Sequence, residues 1–94
     1  MSDFLHGKRQ GYFDAEHQQI DFLIGVESTS DEYKLGYIWG CVVQVMDVAD
    51  NNQAHANALA AQLSAPCPEI QQEVIHKLEE SGIYWPDLFR GTIH

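Results

Sequence analysis

Residues 31 to 49, DEYKLGYIWGCVVQVMDVA, constrain the fold more than any other part of the chain. On a helical wheel at about 100° per residue, their apolar side chains cover nearly the whole circumference and leave only a narrow strip of Gly36, Gly40 and Asp47. A helix that is apolar nearly all round must be surrounded by other helices. A strand through CVVQV is disfavoured, because the apolar run is long and alternates poorly. The stretch therefore predicts a central helix, capped by Ser30, in an all-α fold.

The N-terminal third of the chain predicts two helices before the central one. Ser2 is a favourable N-cap for a short first helix, which Gly7 and Gly11 are expected to weaken. Asp14 is placed to cap a second, amphipathic helix, and Gly25 is placed to end it.

The C-terminal half predicts two more helices and a turn-rich tail. Asp50 opens the capping-box sequence DNNQ and predicts a helix over 53–64, and Pro68 opens another over 69–81. The positions predicted to face the core in these two helices are Ala56, Leu59, Leu63, Ile70, Val74 and Leu78. Residues 1–94 are therefore predicted to form a single helical domain, a compact bundle of four or five helices around the central one.

A short pattern, Asp followed by two large apolar residues, any residue and Gly, occurs three times. It reads DFLHG at 3–7, DFLIG at 21–25 and DLFRG at 87–91. The three starts are separated by 18 and 66 residues, whereas a repeat array needs a constant period. We therefore interpret these glycines as residues that end helical turns, because glycine tolerates left-handed backbone.

The charge of the chain is strongly unbalanced. Fourteen acidic residues against five basic ones give a formal net charge of -9. Between Arg9 and Lys34 there is no Lys or Arg, and the six acidic residues there are Asp14, Glu16, Asp21, Glu27, Asp31 and Glu32. Such a surface repels nucleic-acid phosphates and anionic lipid, and attracts basic protein surfaces. Direct nucleic-acid and membrane binding are therefore disfavoured, although an acidic surface also serves solubility alone.

The sequence favours a cytoplasmic setting. The apolar run from Leu35 to Met46 is too short to span a bilayer. The N-terminus lacks the basic start and apolar stretch of a secretory signal, and two cysteines are too few for a disulfide framework.

Two acidic-x-x-His pairs, Asp14 with His17 and Glu73 with His76, have the spacing by which helical bundles hold two metals. The helical wheel of the last predicted helix argues against this use, because Glu73 falls to the side of its apolar stripe and His76 almost opposite. We expect these residues to be solvated, with no metal or cofactor bound.

The remaining reactive side chains suggest no catalysis. Cys41 lies in the apolar central helix, where a thiol behaves as a small core residue. Cys67, between two prolines, is interpreted as a turn residue. The sequence contains no phosphate-binding loop, no Gly-x-Ser-x-Gly and no zinc-finger spacing, so we expect a non-enzymatic protein.

Two features leave alternatives open. Gly7 with Gly11 and Gly36 with Gly40 each place two glycines one helical turn apart, a spacing that allows close packing either within the chain or across a homodimer. In the aromatic tail, Trp85 and Arg90 have the composition of a binding hot spot, or the segment caps the core.

These observations predict a small acidic protein that docks a basic surface of a partner protein. In size and charge only, it resembles acidic helical inhibitors such as phage-encoded antagonists of bacterial defence complexes, which suggests an inhibitor or nucleic-acid mimic. The predicted partner-binding residues are Asp14, Glu16, Asp21, Glu27, Asp31, Glu32, Trp85 and Arg90. The alternative is a structural or regulatory homodimer paired through Gly36 and Gly40, and a metal-binding helical protein ranks last.

Overall fold

The computed structural model describes residues 2–48 and 53–80, and its regular structure over those residues is entirely helical. Four α-helices follow one another along the chain, and a single 3₁₀ turn, Ile24–Val26, lies between the first two. The helices are α1 (Asp3–Glu16), α2 (Asp31–Val48), α3 (Gln53–Ser64) and α4 (Pro68–Glu80). The predicted all-α bundle is confirmed, with four helices.

The helix α2 is the centre of the bundle, as its all-round apolar sequence predicts. It packs against α1, α3 and α4, and its side chains of Tyr37, Ile38, Cys41 and Val42 are at most 2% exposed. The predicted inner positions of α3 and α4 are all buried against this core. Burial of each large apolar side chain stabilises the fold by roughly 1.5 to 3 kcal/mol.

The contact between α1 and α2 is backbone against backbone. A Cβ added to any of four glycines would lie closer than 3.0 Å to the main chain of the opposite helix. The glycines that make this approach are Gly7, Gly11, Gly36 and Gly40. Gly36 faces the backbone of Phe4 and Lys8, and Gly40 faces that of Lys8 and Tyr12. Residue numbers increase together along both helices, so α1 and α2 run parallel.

Side-chain hydrogen bonds mark the two ends of this parallel pair. At the start, Ser30 Oγ donates to Asp3 Oδ2 at 2.9 Å. Near the other end, Tyr12 OH donates to Asp47 Oδ2 at 3.1 Å. The caps predicted at Ser2 and Ser30 are also present, because Ser2 Oγ accepts from Leu5 N and Ser30 Oγ accepts from Tyr33 N, both at 3.2 Å.

The prediction of a second helix between Asp14 and Gly25 is wrong. The helix α1 continues through both of its glycines to Glu16, because their packing against α2 outweighs their low helix propensity. The chain then leaves the helix through Gln18, whose φ of 57° is left-handed. Asp14 lies inside the last turn of α1 and caps nothing.

The interpretation of the recurring glycines as helix ends is also wrong for the first two occurrences. Gly7 lies inside α1, and Gly25 lies in the 3₁₀ turn, where an added Cβ would come 3.1 Å from Leu63 O. Both positions require glycine because a side chain would collide with neighbouring backbone, and not because the backbone is left-handed. The third occurrence, at 87–91, lies outside the described residues, as do the predicted cap at Asp50 and the aromatic tail.

Replacement of Gly40 by alanine should destabilise the fold. The new methyl group would meet the backbone of Lys8 and Tyr12, and overpacking of this kind costs about 1 to 3 kcal/mol, more than the helix propensity gained. Urea unfolding followed by circular dichroism measures the change. The control is Glu79→Ala at an exposed position of α4, and equal stability of the two variants would contradict the packing argument.

Candidate interaction surface

Tyr37 joins two of the predicted acidic residues. Its hydroxyl donates to Asp14 Oδ2 at 2.5 Å and accepts from the backbone N–H of Asp21 at 2.8 Å. Gln10 Nε2 donates to the second oxygen of Asp14 at 2.7 Å. Tyr37 is itself buried in α2, so the central helix fixes where these two residues lie.

A third predicted residue, Glu27, lies beside Asp21. A hydrogen bond between the two side chains raises the pKa of the Glu27 carboxyl above its ordinary value. Burial raises the pKa of Tyr33, and the charges of Asp14, Glu27 and Asp21 raise it further. The charges of Asp14, Asp21 and Glu27 therefore all reach Tyr33, and we call these three residues the carboxylate cluster.

An apolar loop projects beside the carboxylate cluster. The side chains of Phe22, Leu23 and Val26 are 49%, 67% and 64% exposed, and these three residues are here called the apolar loop. Between them, Ile24 is only 1% exposed and Gly25 packs against the end of α3. Asp21 accepts a hydrogen bond from Leu23 N at 2.9 Å, which holds the turn. The loop is therefore anchored from within while it presents apolar groups outward.

Asp31 and Glu32 lie in a different place. They border a shallow depression of about 380 Å³ together with Glu69 and Glu73 of α4, over a floor of Leu35 and Ile70. We call this the acidic depression. Asp31, Glu32 and Glu69 lie in the first turns of their helices, where the positive end of the helix dipole stabilises carboxylates. The helix dipoles therefore stabilise three of the four acidic side chains, whereas Glu73 lies in the second turn of α4.

The other predicted binding residues do not join either group. Glu16 is exposed at the end of α1. The hydrogen bond from Tyr12 to Asp47 raises the pKa of Tyr12, and the charges of Asp47 and Glu16 raise it further. Trp85 and Arg90 lie outside the described residues. The structure thus brings together three of the six predicted carboxylates, places Asp31 and Glu32 together in a second group and leaves Glu16 apart from both.

Sequence reasoning missed the apolar loop. The pattern places Phe22 and Leu23 on the inner side of a helix and Val26 in a polar linker, whereas all three are exposed. The sequence contained one sign that this segment is not a helix. Only four apolar residues cluster around Gly25, which is too few to form the apolar stripe of an amphipathic helix. Glu69 and Glu73 were also missed as companions of Asp31, because sequence alone does not show which helix ends meet.

The two acidic-x-x-His pairs remain apart. Asp14 is held by Tyr37, while the ring of His17 stacks on Phe13 with centroids 4.1 Å apart. Glu73 borders the acidic depression, and His76 Nε2 lies 2.7 Å from Glu80 Oε1 on the exposed side of α4. Among the described residues, no group of three or more His, Cys, Asp or Glu side chains is arranged to hold a metal ion.

The cysteines occupy the kinds of position that the sequence predicts. Cys41 is buried, its thiol donates to Gly11 O at 3.4 Å, and burial raises its pKa to about 12. A thiol protonated this strongly is a poor nucleophile. Cys67 is half-buried in the turn between α3 and α4.

The glycine strip proposed for a homodimer is already occupied. Gly36 and Gly40 face the backbone of α1 within the same chain, so a second copy has no access to them while α1 keeps this position. Intrachain packing, the other alternative, accounts for both glycine pairs.

Comparison with protein-family models, with curated proteins and with solved structures finds no match to this chain. Within the described part of the chain, none of the helices combines the length and the apolar character needed to cross a membrane.

Replacement of Tyr37 by phenylalanine should weaken the fold by about 1 to 2 kcal/mol, because Asp14 and the Asp21 N–H lose their shared partner. The effect should depend on pH. Burial raises the pKa of Tyr37 above its ordinary 10.0, so its contribution is intact below pH 10 and declines as the unfolded tyrosine ionises at higher pH.

Urea unfolding of both proteins at neutral pH and above pH 10 tests this prediction. Because Tyr12 and Tyr33 ionise in both proteins, the informative quantity is the difference between the two slopes of stability against pH. Identical slopes would show that the Tyr37 hydroxyl contributes nothing to the structure of this region.

Proposed function

We propose that this protein is a non-enzymatic binding protein that docks a basic surface of a partner protein through the apolar loop and the carboxylate cluster. One observation carries the proposal: three exposed apolar side chains are held on an anchored turn and bordered at either end by Asp21 and Glu27. No Lys or Arg occurs in the sequence between Arg9 and Lys34, and the charge of Lys34 acts on Glu27, where it opposes the rise in the pKa of that carboxyl.

The apolar loop supplies binding affinity that exposed charges alone do not provide. Exposed charges in water contribute little to affinity, whereas a few apolar side chains that become fully buried at the centre of an interface carry most of it. Phe22 and Leu23 are large and exposed, and the buried Ile24 fixes the turn before any partner binds. Preorganisation of this kind lowers the entropy lost on binding.

The charge of the protein supports rapid and selective encounter with a basic partner. A net charge of -9 attracts a positive surface over a distance set by the salt concentration. The acidic depression enlarges the negative surface beyond the carboxylate cluster. If the partner binds nucleic acid, these carboxylates would occupy positions that phosphates otherwise take, and the protein would act as an inhibitor by mimicry.

The test begins with a pull-down of the partner from the native host, repeated at high salt, followed by affinity measurement with the purified partner. Leu23→Ser and Glu27→Lys should each weaken binding by about tenfold or more, since they remove an apolar anchor and reverse a neighbouring charge. Matched controls are Val48→Ser, at a side chain 73% exposed near the end of α2, and Glu79→Lys on α4.

The controls should stay within about twofold of the unmodified protein, and all four variants should unfold within about 0.5 kcal/mol of it because the changed side chains are exposed. Affinity should also fall steeply between low and moderate salt. A partner that binds with the same affinity at every salt concentration, and that ignores both Leu23→Ser and Glu27→Lys, would refute the proposal.

A further inference from the structure

The segment that carries the apolar loop is attached to the rest of the protein by few buried groups. Residues 17–30 connect α1 to α2, and we call them the strap. Among these residues only Ile24 and Gly25 are buried. The side chain of Ile24 enters the hydrophobic core, and Gly25 lies beside the backbone of Leu63 and the ring of Pro66. The strap therefore contributes much less buried apolar surface than any of the four helices.

The hydrogen bonds of the strap among the described residues are mostly local. Its backbone bonds close short turns within the segment, such as the one from Ile24 N to Asp21 O. Two longer-range bonds hold it to the helices, from Asp21 N to Tyr37 OH and from Ser30 Oγ to Asp3 Oδ2. Segments with few buried side chains and mostly local hydrogen bonds open at a lower free energy than the whole fold.

The two helices beneath the strap are held together by other contacts. The backbones of α1 and α2 meet at four glycines, none of which lies in the strap. The hydrogen bond from Tyr12 to Asp47 also lies outside the strap. Opening of the strap therefore leaves the α1–α2 pair intact.

Like charges act against the closed position of the strap. Closure brings Asp21 and Glu27 together and places both near Asp14 of α1, since the charges of all three reach Tyr33. The hydrogen bond to Asp21, burial and the charge of Asp21 all raise the pKa of Glu27, and the charge of Lys34 opposes this rise without cancelling it. The ionised carboxylates therefore repel one another in the closed strap.

We propose that the strap is a conformational device that opens as a unit from the α1–α2 pair and that a basic partner favours its closed state. The closed strap presents the apolar loop in one conformation. Opening withdraws Ile24 from the core and moves Asp21 and Glu27 away from Asp14. Positive charges beside the carboxylate cluster offset its repulsion, so a basic ligand has a higher affinity for the closed state and shifts the population towards it. The inference rests on the proposed function only where it names a basic partner.

Native-state hydrogen exchange of the full chain, followed by NMR, tests whether the strap opens separately. The amide of Ile24 reports on the strap, and the amide of Val42 in α2 reports on global unfolding. The protection factor of Ile24 should be at least about tenfold lower than that of Val42. Low concentrations of urea should reduce protection at Val42 and leave Ile24 nearly unchanged, because a local opening exposes little surface. Equal protection with equal urea dependence would overturn the inference.

Two variants separate opening of the strap from unfolding of the whole protein. Gly40→Ala should lower protection at Val42 by about fivefold or more and leave Ile24 unchanged, because the contact it disturbs is also present when the strap is open. Tyr37→Phe should lower protection at Ile24 by about tenfold, because the closed state loses the bond to Asp21 N. Equal losses at both amides in Gly40→Ala, or no loss at Ile24 in Tyr37→Phe, would contradict opening as a unit. If Gly40→Ala does not fold, the urea series on the unmodified protein decides.

The contribution of charge is tested by neutralising one carboxylate. Glu27→Gln should raise protection at Ile24 by about threefold or more, because the new amide can donate to Asp21 where a carboxylate repelled it. Glu79→Gln, at an exposed site on α4, makes the same change in net charge and should have no effect. An oligolysine peptide serves as the basic probe. It should raise protection at Ile24 more than sodium chloride of equal ionic strength does, and less in Glu27→Gln than in the unmodified protein.

The effect of the basic probe fails if Glu27→Gln and oligolysine both leave Ile24 unchanged, or if Glu79→Gln has the same effect as Glu27→Gln. These measurements use no partner protein, so they remain informative if the proposed function is wrong. Leu23→Ser should keep protection at Ile24 within about twofold, because its side chain is exposed in the closed strap. Loss of partner binding in that variant is therefore read separately from opening of the strap.

Discussion

The architecture of this protein depends on the contact between the backbones of α1 and α2. Four glycines, two on each helix, allow the main chains to approach until no side chain fits between them. Close approach increases dispersion contacts and lets a thiol of one helix reach a carbonyl of the other, as Cys41 does with Gly11. The same spacing pairs helices in membranes, and here it operates inside a charged, acidic protein.

The parallel direction of this pair determines what lies beside it. Because α1 and α2 run the same way, residues 17 to 30 must return the chain along the length of α1, roughly 20 Å for a 14-residue helix. An antiparallel pair would need only a short turn. The returning segment is too polar for a helix with a continuous apolar stripe, so it is anchored at single points, by Tyr37 and by the burial of Ile24. The apolar loop and the carboxylate cluster are products of that long return.

The acidic residues therefore differ in role despite their similar appearance in sequence. Asp14 and Asp21 organise the loop through Tyr37, and Glu27 extends the same group outward. Asp31 and Glu32 begin a helix and share a depression with residues of α4. Glu16 is exposed at the end of α1 and joins neither of these groups. The acidic residues that make up the net charge thus lie in three different local environments.

The amino-acid sequence by itself determined the fold class, the central position of α2 and the inner positions of α3 and α4. These follow from the number and spacing of apolar side chains, which depend on local geometry alone. The caps at Ser2 and Ser30 follow for the same reason, since a cap acts within three residues of itself.

Only the tertiary structure decided the length of α1, the absence of a helix between Asp14 and Gly25 and the grouping of the carboxylates. In sequence, Gly7 and Gly11 weaken a helix, and the partner that reverses their effect lies about 30 residues away in α2. The sequence predicts Asp14 as a helix cap, whereas in the structure its carboxylate accepts a hydrogen bond from Tyr37, 23 residues later. Local propensities amount to about 1 kcal/mol or less per residue, so a single packed contact with a distant element outweighs them.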